Sequence, residues 1–299
     1  MNRLESYVEW MRRRAPDFSN LAFAVDCSNG MASLIVHELF PSAMAINDSL
    51  DGRFSCHSPN PLMAEARAGL SELVVREKLD CGVIFDGDAD RAMFVDERGE
   101  FVQPDYLIPT VAKATGVGKV IHDVRTSRGA IEELKRMGCE PVMVPVGHAF
   151  AKPILREVGA ICGGELAGHY YFSEFYGCDS GALAALKILG EIAKAKRSGK
   201  TFSEMMRPIS GVYANSGELN FTVSDKDVAV AATIAAAKTL GREISRSEMD
   251  GVRMEFAEGW INVRKSNTEP YLRLIVECDS VSRLAQWTAT LEAAIKNAR

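Results

Sequence analysis

Short apolar runs alternate with amphipathic stretches over the first two-thirds of the chain. The spacing predicts a helix over 3–14, a buried strand over 21–26 (LAFAVD) ending at the Ser28-Asn29-Gly30 turn, and a helix over 31–40. Pro61 is expected to open a longer amphipathic helix reaching about Lys78, since proline at a helix start forfeits no hydrogen bond. Strands over 81–85 (CGVIF) and 92–96 (AMFVD) flank a polar insert, and Arg98-Gly99 reads as a hairpin turn into Phe101-Val102. The grammar then restarts with strand 119–123, helix 127–137, strand 141–145, helix 149–158, strand 161–165 and an Ala/Leu-rich helix over 180–196. The two openings, FAVDCSNG and VIHDVRTSRG, each followed by a helix, read as two copies of one unit. After the Ser-Gly-Lys turn at 198–200 the pattern changes to strands at 219–223, 254–256, 260–263 and 271–278, with helices over 225–240 and 281–298. Continuous apolar strands alternating with helices mean parallel sheets covered on both faces. The predicted fold is therefore α/β: two consecutive α/β/α domains with mainly parallel mixed sheets (1–100 and 101–209), followed by a C-terminal α+β domain (210–299).

Composition narrows the function. The chain has 299 residues, 47% hydrophobic and 25% charged, as globular domains do, and is long enough for more than one core. A net charge of −5 argues against nucleic acid as a partner. No apolar run is long enough to span a bilayer, and the Arg-rich start lacks the apolar region of a secretory signal. Seven scattered cysteines without a C-x-x-C pair fit neither a zinc site nor a disulfide framework. A reducing, cytoplasmic location is the expectation.

Three stretches carry chemistry. In DGDADR, Asp86, Asp88 and Asp90 alternate ahead of Arg91, and all-oxygen donors of this kind select a hard cation, Mg²⁺ or Ca²⁺. Adding Glu97 matches the ligand spacing of an EF-hand loop, but Arg91 stands where that loop needs glycine, and both flanks are strands. The alternative is a solvated acidic turn, although an adjacent arginine suits an anionic phosphate substrate. GGELAGH presents Glu165 and His169 from a glycine-rich turn and reads equally as a structural turn or a ligand loop; it lacks dinucleotide-binding glycine spacing. Arg264, Lys265, Ser266, Asn267 and Thr268 combine cations, hydroxyls and an amide in a turn suited to phosphate.

DGDADR, GGELAGHYYF and RKSNTEPYLRL, in that order, resemble the α-D-phosphohexomutases, most closely the phosphomannomutase/phosphoglucomutase branch. The similarity extends through VDCSNG (25–30), FSCHSPNP (54–61), HDVRTSRG (122–129), VGHAFAK (146–152) and DSGALAALKIL (179–189). It implies an isomerase that interconverts hexose 1- and 6-phosphates, of mannose or glucose, through an active-site phosphoserine and a bisphosphorylated sugar. On matching positions it places Mg²⁺ on Asp86, Asp88 and Asp90, with Arg91 beside the transferring phosphate. Glu165 and His169 would read the sugar's hydroxyls. Arg264, Ser266, Asn267, Thr268 and Arg273 would grip the phosphate that is not reacting, and His148 would lie near the reacting groups. Hexose 1,6-bisphosphate is implied as an activator.

The chain also departs from the family pattern. The family's phosphoserine lies on a first domain, in a T-A-S-H-N-P-like loop, and this sequence begins where the second domain is expected. Ser58 imitates that serine but belongs to the second-domain F-x-x-H-x-P-x-P segment, so it is not read as the nucleophile. Arg125 stands where relatives usually carry lysine, and a permanently protonated arginine is a poor general base. Ala167 replaces a serine of the sugar loop. Three expectations follow: a mutase completed by a separate serine-loop domain, a non-catalytic sugar-phosphate binder or regulator, or a fragment of a full mutase. Association with that domain or with a second copy of the chain is expected.

Overall fold

The computed structural model describes residues 2–266 and 270–298. Its first sheet has five strands, ordered Met44–Ile46, Phe23–Asp26, Cys81–Phe85, Ala92–Asp96 and Phe101–Val102. The first three run parallel and the last two fold back as an antiparallel meander. The second sheet repeats this plan as Glu140–Val144, Lys119–Asp123, Cys162–Gly164, Tyr170–Phe172 and Cys178–Asp179. The two openings seen in the sequence are thus the first strands of two like-built sheets. Each is followed by the same turn: Asp26 accepts the Ser28 N–H (2.8 Å) and Asp123 the Arg125 N–H (2.6 Å).

One apolar core serves both sheets. Helix Gly181–Arg197 is buried almost all round and joins residues from Val8 to Ile209 in a single cluster. The third unit is separate. Its antiparallel sheet centres on Gly259–Lys265 and Tyr271–Cys278, and helices Lys226–Ala237 and Val281–Asn297 close a core of its own around Trp287 and Leu291. Polar groups fasten this unit to the second sheet. Buried Arg253 donates to the carbonyls of Val124 (2.6 Å) and Thr126 (3.0 Å) while lying over the Trp260 ring. Arg128 donates its backbone N–H to Glu277 and its guanidinium to Glu255.

Several elements differ from the sequence reading. The helix expected over 31–40 is a 3-10 turn, Met31–Leu34, and a single α-turn, Val36–Leu39, broken at Ile35 (φ −128°). Adjacent β-branched Ile35 and Val36 propagate a helix poorly, and the Met31 N–H is drawn to the Gly87 carbonyl (2.9 Å). Pro61 lies outside the helix it was expected to open, which runs Ala64–Arg76; the Pro61 carbonyl accepts from Arg67 instead. Strand Met44–Ile46, helix Ile108–Thr115, the pair Tyr170–Phe172 and Cys178–Asp179, and helix Phe202–Ser210 are additional elements.

Asp105 sits where the second unit begins, 2% exposed, accepting the Ser127 N–H (2.9 Å). Burial, with Glu277 and Asp123 nearby, pushes its carboxyl up to about 7. An unfolded aspartate ionises near pH 4. The folded state therefore keeps a proton that the unfolded chain releases, and stability should fall as pH rises from about 4 through about 7. Asp105→Asn, which cannot ionise, is expected to flatten that decline in denaturant midpoints measured on both sides of the window.

Candidate functional site

The insert between Phe85 and Ala92 is the loop that follows the third strand of the first sheet, and Glu165–His169 is its counterpart in the second. The two loops are joined backbone to backbone. Arg91 and His169 form a β-bridge, and the Ala92 N–H donates to the Gly168 carbonyl (3.2 Å). Helix Gly181–Arg197 begins against the same place, and a Cβ on Gly181 would come within 2.8 Å of the Ala89 and Arg91 carbonyl oxygens. On its other side the first loop rests on the Ser28-Asn29-Gly30 turn. A Cβ on Gly30 would approach the Gly87 oxygen to 2.4 Å, and Ser28 Oγ donates to the Phe85 carbonyl (2.6 Å).

Asp86, Asp88 and Asp90 each bring a carboxylate oxygen within 4.8 Å of the others. Asp86 is buried and binds Arg91 through both the backbone N–H (3.1 Å) and Nε (2.6 Å). Burial still wins over Arg91 and raises its carboxyl to about 6, so Asp86 is costly to keep ionised without a further positive partner. A hard divalent cation fits this donor set, and Mg²⁺ matches three carboxylates without a nitrogen or sulfur ligand.

Glu165 is 1% exposed, accepting from Tyr171 Oη (2.5 Å) and the Gly147 N–H (3.3 Å). Burial, with Asp123 close by, raises its pKa. His169 lies between the rings of His148 (centroids 5.9 Å apart) and Tyr171 (6.3 Å). Its Nδ1 is 3.0 Å from Asp179 Oδ2 and 3.7 Å from Asp90 Oδ1. Burial opposes its charge, but Asp179, Asp90 and Glu165 prevail and raise its pKa. His148 is the first residue of helix His148–Val158 and is exposed, and Ala167 is half-buried.

The third unit contributes a basic network. Glu218 accepts from Arg264 (2.8 Å) and Arg273 (3.1 Å) and lies 3.5 Å from Arg125. Arg125 is 4% exposed, with Asp123 at 2.7 Å and Glu165 at 3.8 Å, and its pKa is raised because these carboxylates outweigh burial. Ser266 is buried, its backbone N–H donated to the Tyr271 carbonyl. Asn267 and Thr268 lie outside the described residues. A cavity of about 440 Å³ opens onto this network, bordered by Asn60, Arg67, Gln103, Arg125, Glu218 and Arg273 from all three units. Asp123, Asp179 and Glu218 were not singled out from the sequence. The first two lie inside quoted motifs, whereas Glu218 has no local signal: its role comes from three arginines converging on it.

The phosphoglucomutase/phosphomannomutase family models match consecutively: α/β/α domain II over residues 2–99, α/β/α domain III over 104–211 and the C-terminal domain over 218–294. The chain is 36% identical over 265 residues to a Xanthomonas campestris protein named for phosphohexose mutases, covering 86% of this chain and 58% of that one. It is 34% identical over 287 residues to a Methanocaldococcus jannaschii phosphomannomutase, covering 93% and 62%. The chain thus spans about three-fifths of the length of these relatives. A crystal structure of a phosphoglucomutase/phosphomannomutase family protein from Burkholderia thailandensis superimposes with a TM-score of 0.82 at 26% identity, over 99% of this chain and 64% of that one.

Glu218→Gln removes the countercharge shared by three arginines. Glu218 keeps some solvent contact, so the expected loss is about 1–3 kcal/mol, below that for a fully buried pair, and denaturant unfolding measures it.

Proposed function

Because the chain belongs to the phosphoglucomutase/phosphomannomutase family, we propose that it binds hexose phosphates with Mg²⁺ and interconverts hexose 1-phosphate and 6-phosphate, of mannose or glucose, when a phosphoserine-bearing domain completes the site. The observation that carries this reading is the backbone join between the Asp86–Arg91 and Glu165–His169 loops, with Arg264 and Arg273 of the third unit linked to Glu165 through Glu218 and Arg125. A phosphorylated sugar needs these three chemistries together: a cation for the reacting phosphate, polar groups for the ring hydroxyls and arginines for the far phosphate.

Asp86, Asp88 and Asp90 would hold the Mg²⁺, which supplies positive charge to the phosphoryl oxygens. Arg91, tethered by Asp86, places a second positive charge beside the transferring group. Glu165 and His169 would take the sugar hydroxyls, with Ala167 offering none of its own, and His148 would stand at the edge of the reacting centre. Arg264, Arg273 and Ser266, with Asn267 and Thr268, would hold the other phosphate and so orient the sugar. Hexose 1,6-bisphosphate would act as activator. Arg125 stabilises charge but cannot accept a proton, because its carboxylate partners hold it in the protonated form.

That fixed arginine favours a second reading, a sugar-phosphate binder without turnover. Calorimetric titration with mannose 1-phosphate and glucose 1-phosphate in Mg²⁺ is expected to show binding that Arg264→Met weakens about tenfold, the worth of one charge-assisted contact. Turnover is expected only when a serine-loop domain and a hexose bisphosphate are added. Binding without turnover in that mixture favours the binder, and absence of binding to either sugar phosphate overturns both readings.

A further inference from the structure

Arg264 and Arg273 are direct partners across neighbouring strands of the third sheet, a placement in which like charges repel. Glu218 answers both. Its Oε1 accepts from Arg264 (2.8 Å) and is 3.5 Å from Arg125, while Oε2 accepts from Arg273 (3.1 Å). We propose that Glu218 is a built-in competitor: its carboxylate holds the place on these arginines that a ligand's phosphate takes, and so limits how tightly the ligand binds. This rests on the phosphate-binding role given above to Arg264 and Arg273.

A carboxylate imitates a phosphoryl group well here, because arginine meets both with paired N–H donors. Burial opposes the charge of Glu218, but Arg125, Arg264 and Arg273 prevail and lower its pKa, so the competitor is ionised at neutral pH. Its side chain stands on the wall of the 440 Å³ cavity, 20% exposed, within reach of an entering anion. Arg264 is 6% exposed, and its Nε has no hydrogen-bond partner among the described residues. A buried donor left so favours an anion with more acceptor oxygens than a carboxylate has. Phosphate has that surplus, which lets it win the arginines from a carboxylate already in place. Glu218 is also the movable half of the pair. It lies between strands Ala214–Asn215 and Leu219–Thr222, directly after Gly217, whose φ is +65° and where an added Cβ would meet nothing within 4 Å. Its side chain can therefore turn toward Arg125 without breaking a ladder, whereas Arg264 and Arg273 are fixed within strands Gly259–Lys265 and Tyr271–Cys278.

Calorimetric titrations with inorganic phosphate, mannose 1-phosphate and glucose 1-phosphate in Mg²⁺ test this. Glu218→Gln keeps the shape of the side chain and removes its charge, and is expected to tighten all three ligands about tenfold; Glu218→Asp, with the charge drawn back, is expected to tighten them about threefold. Structural damage weakens binding, so a gain separates competition from a merely structural role. The stability lost in Glu218→Gln should also be regained as phosphate is added, since the ligand supplies the missing anion. Affinity unchanged or weakened in the folded Gln variant overturns the proposal, and so does a gain confined to the sugar phosphates, which would put Glu218 against the sugar. If the Gln variant does not fold, the Asp variant decides by the same criteria. Sugar-phosphate affinity that Arg264→Met weakens but Glu218→Gln does not raise sinks the competitor alone. Absence of phosphate binding in wild type and variants sinks the binding reading with it.

Discussion

The arrangement depends on one short piece of backbone pairing, the bridge between Arg91 and His169 with the Ala92 N–H donated to Gly168. Each partner loop leaves the third strand of its own five-stranded sheet at an acidic residue, Asp86 in one and Glu165 in the other. Two sheets of like plan could meet in many ways. Pairing these particular loops brings the acidic end of both third strands to a common point, where residues 79 positions apart in sequence can meet one ligand. Small residues make the approach possible, since side chains at Gly30 or Gly181 would collide with backbone on either side.

Charge then organises what backbone pairing has brought together. Asp123 is the centre of the second sheet's opening turn, accepting from the Arg125 backbone and guanidinium and from the Leu166 N–H. Its counterpart Asp26 is met instead by Asn47 and His57, at 3.0 Å and 3.1 Å. The same turn is therefore locked by neutral or titratable groups in the first sheet and by a permanent cation in the second. Arg125 also faces Glu165 and Glu218, so the Glu165–His169 loop, the opening turn and the third unit share one electrostatic network.

Much of this architecture is legible in the sequence because local pattern and tertiary demand agree. Strands Cys81–Phe85 and Ala92–Asp96 appear at the expected residues, as each is a continuous apolar run buried on both faces. The third-unit strand Tyr271–Cys278 also appears at its expected residues, its apolar run interrupted by Arg273 and Glu277. Elements that escaped notice are short or depend on partners. Cys178–Asp179 has two residues and exists through its pairing with Tyr171 and Phe172. Helix Phe202–Ser210 carries a capping box in Thr201 and Glu204 that could have marked it. Asp86, Asp88, Asp90 and Arg91 stand in one contiguous motif, and so do Glu165 and His169. Glu218 had to be seen folded, because its three arginines come from positions 125, 264 and 273.

The two joints of the molecule differ in kind. The first and second sheets share one apolar core through helix Gly181–Arg197, so parting them exposes hydrocarbon and costs in proportion to area. The second and third units keep separate cores and meet through Arg253, Arg128, Glu277 and Asp250, whose hydrogen bonds water can largely replace on separation. The 440 Å³ cavity borders this weaker joint, with the Glu218 cluster on its wall. Under the proposed function, an incoming phosphate would compete with Glu218 for Arg264 and Arg273, and the carboxylate so displaced would still face Arg125. The network can thus exchange one anion for another without leaving its arginines unpaired, which is the electrostatic condition for a site that must bind a charged ligand and later release it.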